Sequence, residues 1–503
     1  MPAKQADDSC YGKRRIETVE NCDCGKAATE DSSTDHQLHQ IRLIHRVLHT
    51  TKPADIITGT DNHGRRSHPA TDKPSYFDKP MTSISILTRV SIHCLIFTSP
   101  IFAADWNQYR GSQADGKSEE VISVDGFLNG MAKPVWKTPT PNGFSSFSVK
   151  DQTVVTVVTR ASKEGNKETC IALDAKTGEE LWSAPLSSSD YGHGGGDAGA
   201  PGNRGGDGPR NTPTIADNHV YVYDGHLVLT CLDLKDGSRV WEHDMVKEFN
   251  GRNIKWFNAT SPVIDGDSIF VSGGGPGESF LCFEKNSGKL LWKTGDATMT
   301  HATPAFAEFA GQTQVIFFMQ SGLVSLDSKT GEEKWHSQFP FSVSTAASPV
   351  TFDNEVYCSA GYGVGAGLFR FGKQQEAEEV WFKPNELMNH WSTPVIKDGY
   401  LYGIYEFKKY GRAPLQCVEL ATGEIKWSQP GFGPGNVIMV GDHLVALSDA
   451  GEVALARATP DSYQELGRSK AITGKCWSTP AFSDGKLYVR STIEGACFDL
   501  TAP

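Results

Sequence analysis

No apolar run in this chain is long enough to span a bilayer: the stretch from Val90 to Ala104 is broken by His93, Ser99 and Pro100. Cationic charge is short as well. Forty-eight Lys and Arg stand against 60 Asp and Glu, a net charge of -12, which excludes the basic stripe of a nucleic-acid surface. No P-loop, kinase or metalloprotease motif occurs, and no catalytic triad can be assembled, so no catalytic residue is assigned. No two cysteines are adjacent, and Cys22-Asp23-Cys24 has no partners at metal-ligand spacing, so no metal ligand is assigned either. Cys94 follows Ser91-Ile92-His93, which lacks the Leu and the small residue of a lipid-modified cysteine.

What the chain has instead is a repeat. LVSLDSKTGEEKW, Leu323 to Trp335, returns as copies ending at Trp182, Trp241, Trp292 and Trp427. In each, an acidic residue (Asp174, Asp233, Glu284, Asp327, Glu419) lies eight positions before the Trp and a Gly four before it. Alternating apolar residues give a half-buried strand, the acid opens a turn, and the Gly takes the positive φ of a short bulged hairpin. A hydroxyl residue before proline precedes the copies, at Thr212-Pro213, Ser261-Pro262, Thr303-Pro304, Ser348-Pro349, Thr393-Pro394 and Thr479-Pro480. Proline, with no amide donor, suits the first residue of a strand.

One unit is therefore four antiparallel strands, A to D, recurring every 40 to 45 residues or so, the period of a β-propeller. Phe147 replaces the proline in unit one, unit five keeps only Pro349 and Trp381, and unit seven has Pro460 for the turn glycine and a residue near Leu466 for the Trp. The eighth unit begins at Cys476 and has three strands, its fourth being available from AKPVWKTP around Trp136. The sequence thus predicts an all-β, eight-bladed propeller closed by N- and C-terminal strands, which removes two exposed edges. Seven blades is the fallback.

Residues 1–80 are rich in charge, His, Ser and Thr without sustained period and read as a disordered or non-native extension. Residues 81–103 read as a signal peptide starting at Met81, with Ile101 and Ala103 at the cleavage site, leaving a propeller over 104–503 that is periplasmic or secreted. Cys231, Cys282, Cys417 and Cys497 share one register, two before the turn acid or its equivalent, where other units place Ala172, Ser325 and Ala454. That register is a small buried site where neighbouring blades approach, and its cysteines are structural.

Connections from strand D to the next strand A deliver the chain to the central channel. Three positions before the proline they carry Phe144, Arg210, Ala259, His301, Ala346, Trp391 and Trp477, with Trp256 and His390 close by. Arg210, Trp256, His301, His390, Trp391 and Trp477 are the candidate ligand-binding residues, and they should share one solvent-accessible face. Their chemistry suits a protein or peptide partner or a small planar, polar or anionic ligand. The longest connection, Ser187 to Arg210, is glycine-rich. Gly194, Gly196 and Gly199 match a dinucleotide fingerprint that no following helix supports, and Asp190, Asp197 and Asp207 follow no known calcium loop.

The turn motif, the prolines and the eight-fold count, with DWNQYRG at Asp105, the GHGGGDAGAPGNRGGDGPR stretch and GKCWSTP at Gly474, make the chain resemble the pyrroloquinoline-quinone-like β-propeller repeat proteins, in particular exported ones of planctomycete type. That superfamily includes quinone-dependent alcohol dehydrogenases, the propeller of the outer-membrane barrel assembly machine and kinase sensor domains. The dehydrogenase likeness implies quinone and calcium, an adjacent cysteine pair, a stacking Trp that Trp391 or Trp477 could supply, and carboxylates at the rim. The cysteine pair and the rim carboxylates are missing from this pattern. The expectation is an exported, non-catalytic binding or scaffolding propeller with no cofactor assigned. The alternative is a quinoprotein dehydrogenase, and only there do quinone and calcium enter.

Overall fold

The amide of the turn glycine donates to the carbonyl of the turn acid in every copy of the motif, at Asp174, Asp233, Glu284, Asp327 and Glu419. In the computed structural model, which describes residues 105–191, 208–309, 311–372, 377–406, 409 and 411–501, the Asp327 carboxylate accepts from the amides of Lys329 (3.0 Å) and Thr330 (2.9 Å). The Gly331 amide donates to the Asp327 carbonyl (2.9 Å), and Gly331 sits at φ +73°. The hairpin so closed joins strand C of the blade, Gly322–Asp327, to its outer strand D, Glu333–Gln338. A register shift at Ser325/Leu326 leaves Lys334 as the bulge just before Trp335. The expectations for residues 1–80, for the signal segment 81–103, and for Asp197 and Asp207 lie outside the described residues.

Eight such sheets succeed one another, four-stranded except for a five-stranded seventh. The protein is an eight-bladed β-propeller, with two short helices among the described residues, Val124–Gly130 and Met245–Glu248. Blade eight takes its outer strand from Trp136–Pro139, which pairs antiparallel with Glu494–Asp499 and sets Trp136 opposite Cys497, closing the ring as the sequence implied.

The tryptophans dock each blade on the next. Trp136, Trp182, Trp241 and Trp292 each lie against the turn glycine of the following blade (Gly178, Gly237, Gly288, Gly331), where an added Cβ would come within 3 Å of the indole. Their Nε1 groups donate to the carbonyls of Ala175 (3.0 Å), Leu234 (2.8 Å), Lys285 (2.9 Å) and Ser328 (3.1 Å). The small register on strand C has a different origin from the one expected. Cys282 pairs with Trp292 on strand D and Phe270 on strand B, and those rings meet at 5.8 Å. Tyr221 and Trp241 flank Cys231 likewise, at 5.9 Å. The crowding thus comes from two rings of the same blade, and the seven described cysteines are all free and buried.

The hydroxyls before the prolines form a belt around the channel. Amides of one blade donate to hydroxyls of the next: Thr479 to Ser146 (2.9 Å), Ser146 to Thr212 (3.1 Å), Thr212 to Ser261 (2.9 Å), Ser261 to Thr303 (3.0 Å) and Ser348 to Thr393 (2.9 Å). In blade seven the residue opposite the small Ala454 is Arg468, two positions beyond Leu466; its guanidinium lies over the Phe432 ring at 4.8 Å and pairs with Glu465.

Residues 105–120 cross the channel. Trp106 exchanges backbone bonds with Val149 of blade one, and Asn107 bonds Ile215 of blade two. Arg110, fully buried, donates to the carbonyls of Thr393 (2.6 Å) and Pro394 (2.8 Å) of blade six. Lys117–Ser118 then adds in parallel to the inner strand of blade seven, and the Glu120 carboxylate accepts from Gly485 of blade eight (2.7 Å).

Candidate functional site

Strand A leaves the belt and runs away from the D-to-A connections, so these connections and the B-to-C hairpins share one face. The rim residues on that face form an arc. Trp391 and Trp477 lie with ring centroids 4.3 Å apart, and Phe144 stacks on Trp477 at 4.9 Å. His390 meets Trp391 at 5.1 Å and stands edge-on to Tyr362 at 5.1 Å. Trp391 Nε1 donates to the Pro434 carbonyl (2.9 Å), which fixes the indole. Phe144 leads on to the next connection, because its amide donates to the Pro209 carbonyl (2.6 Å).

Arg210 follows at once. Its Nη1 donates to the Trp256 carbonyl (2.6 Å) and its guanidinium lies over the Tyr191 ring at 5.3 Å. Trp256 and Phe257 occupy left-handed backbone at φ +68° and +61°, a strained pair of bulky residues held where the rim needs them. The Lys255 ammonium lies 4.7 Å over the Trp256 ring, and Lys475 lies 5.1 Å over Trp477. His301 faces Lys255 and Ser344: Nε2 donates to the Lys255 carbonyl (3.0 Å) and Nδ1 accepts from the Ser344 hydroxyl (2.8 Å). Burial, with Arg210 nearby, pushes the His301 pKa down to about 4, so the imidazole is neutral, as that bonding requires.

All six candidate residues therefore belong to one face, in two groups: His390, Trp391 and Trp477 with Phe144, and Arg210, Trp256 and His301. Their accessibility differs from expectation. Arg210, Trp256 and Trp391 are half-buried, whereas His301 (7 %), His390 (7 %) and Trp477 (8 %) are buried beneath them. The exposed work of the rim falls to the first three, together with Phe144, Lys255 and Lys475.

Sequence reasoning missed a buried acid pair under the same rim. Tyr191 donates to Glu168 (2.6 Å), which also accepts from the Gly225 amide (3.2 Å). Asp224 accepts from the amides of His226 (2.9 Å) and Val228 (3.1 Å). Burial, then the charge of Asp224, pushes the Glu168 pKa up to about 8, and burial raises Asp224 too. A Cβ on Gly225 would come within 2.6 Å of the Glu168 carboxyl, so only glycine fits there. The available signal was a Glu directly before the run Thr169–Leu173 in the strand Gly165–Asp174. Among the described residues no group of three or more His, Cys, Asp or Glu is placed to hold a metal ion.

A family model described as outer membrane protein assembly factor BamB matches residues 166–429. Among solved structures the chain is similar to BamB from Moraxella catarrhalis, at 14% identity and TM-score 0.52, covering 74% of this chain and 98% of that one. It is similar also to the quinohemoprotein alcohol dehydrogenases of Comamonas testosteroni (11% identity, TM-score 0.57, 80% of this chain and 81% of that one) and of Pseudomonas putida HK5 (13%, 0.56, 80% and 81%). At such identities these likenesses are of fold alone. No curated protein matches the chain.

Proposed function

The chain belongs to the family of the outer membrane protein assembly factor BamB, within the pyrroloquinoline-quinone-like propellers, and from that membership and its rim we propose an exported, non-catalytic propeller that binds or scaffolds a partner at the D-to-A face. The observation that carries this reading is the arc of half-buried aromatic and cationic side chains, Phe144, Trp391, Arg210, Trp256 and Lys475, with the exposed Lys255, on one face of an otherwise acidic molecule. Aromatic faces with adjacent cations suit a partner presenting flat and acidic groups, whether a protein segment or a small planar ligand. Export rests on the signal-like segment from Met81, with the mature chain starting near Ala104. No helix among the described residues is long and apolar enough to cross a membrane.

Quinoprotein chemistry finds a poor fit in these residues. The two indoles that could stack on a quinone, Trp391 and Trp477, are packed against each other, and Trp477 also against Phe144. Glu168 and Asp224 already accept backbone amides, and burial raises the Glu168 pKa to about 8, which favours its protonated form, a poor calcium ligand. No cysteines are adjacent. The test is photo-crosslinking in the native cell, with the reactive side chain placed at Phe144, Trp391 or Lys255, and at Asp398 or Asp484 on the opposite face. Adducts from the rim alone are expected. Equal adducts from both faces, or a chromophore retained after soaking with quinone and calcium, overturn the reading.

A further inference from the structure

A cleft of about 690 Å³ runs over the outer strand of blade four, Glu333–Gln338, at the outer edge of the face that carries the rim. Its floor is phenyl: Phe280 of blade three, Phe339 at the end of the strand, and Phe382 of blade five, which meets Phe339 edge-on at 5.5 Å. Its mouth is acidic, with Asp296, Glu333 and Glu379 among the residues that line it and neither Lys nor Arg. His336 is the one basic residue among those that line it, 2.8 Å from Glu333. Strand D ends the sheet order, so its outward amides and carbonyls face no further strand of this chain.

Two polar links of this blade to the next are unmade. Trp335 Nε1 has no hydrogen-bond partner and Ser348 Oγ has none, although both are buried. The joint between blades four and five therefore rests on ring stacking in place of an indole hydrogen bond, beside the cleft wall formed by Glu379 and Phe382.

We propose that this cleft is a docking site for an extended segment of a partner protein that carries both basic and apolar residues, added as a fifth strand to Glu333–Gln338. Strand pairing takes the main chain of the guest, and every second side chain then points one way. On the side of blade three a guest side chain meets Phe280 and Asp296, and on the side of blade five Phe382 and Glu379, so each side offers both an apolar contact and a carboxylate for Lys or Arg. An acidic guest would meet three carboxylates and be repelled.

The test uses the full chain with three synthetic octapeptides: alternating Val and Lys, alternating Val and Glu, and Val-Lys with N-methylated amides. Binding is read by fluorescence anisotropy. The Val-Lys peptide is expected to bind, the Val-Glu and N-methylated peptides at least about tenfold more weakly. The pair Glu333→Lys, Glu379→Lys should reverse the charge preference, while Glu179→Lys, Glu424→Lys on other blades should leave it unchanged. Failure of the Val-Lys peptide to bind, equal binding of the N-methylated peptide, or indifference to the cleft reversal overturns the proposal. So does a dimer in light scattering that the cleft reversal abolishes, since the occupant would then be a second copy. None of these outcomes bears on the rim.

Discussion

The joint between blades three and four and the joint between blades four and five perform one task with different chemistry. In the first, Trp292 lies on Gly331 and donates to the Ser328 carbonyl. In the second, blade five has no Asp-to-Gly turn to receive Trp335, and the indole stacks instead on Phe371, with centroids 3.7 Å apart and planes 20° from parallel. A missing hydrogen bond has been replaced by aromatic area, while the buried N–H is left without an acceptor. The repeat motif therefore encodes a position for the ring more strictly than a polar link: the ring is kept where the turn is lost.

The strongest challenge to this picture is to remove a joint outright. Deleting 105–140 takes away the outer strand of blade eight and the channel crossing, and is expected to abolish the cooperative unfolding transition seen by calorimetry. A soluble truncation that still melts cooperatively would show that the ring does not depend on closure. Next, Trp335→Ala should destabilise by roughly 3 to 5 kcal/mol, as for other buried rings. A urea midpoint equal to that of the parent would mean that stacking on Phe371 holds nothing.

The joint between blades one and two adds charge to the comparison. Glu168 has a folded pKa of about 8, raised above its ordinary value of 4.5. The folded state therefore keeps a proton that the unfolded chain releases, and stability contributed by this group falls as pH rises from the unfolded value towards 8. Glu168→Gln should flatten that part of the melting-temperature profile against pH; an unaltered slope would assign it to other groups. Smallest of all is the effect of one indole N–H. Trp292→Phe loses a made hydrogen bond and Trp335→Phe loses an unmade one, so the first should be more costly by about 1 kcal/mol. Equal urea midpoints would erase the distinction between the joints.

Blade number, closure and the rim face could be read from the sequence because they follow from residues at fixed spacing: Asp327, Gly331 and Trp335 recur in register, and each register position maps to one place on a propeller. Arg468 could be located only to within two residues because blade seven shifts its bulge, and a bulge leaves no mark on composition. The burial of His301 and Trp477 escaped because it depends on what the neighbouring connections place above them. Glu168 and Asp224 come from different blades, and pairing across blades is invisible to a pattern read within one repeat. The channel crossing from Trp106 to Glu120 carries no repeat at all.

That crossing, with the strand at Trp136, sets an order of events. The first described residues of the domain hold partners near its end, Glu120 with Gly485 and Trp136 opposite Cys497. Contacts of such sequence separation form late, after the intervening loop entropy has been overcome. During synthesis, blades one to seven can assemble in turn, yet blade eight stays short of its outer strand until Asp499 has emerged, and the strut across the channel has nothing to brace. The domain would thus remain an open arc until Glu494–Asp499 was free to pair, and would close into a ring in one late step.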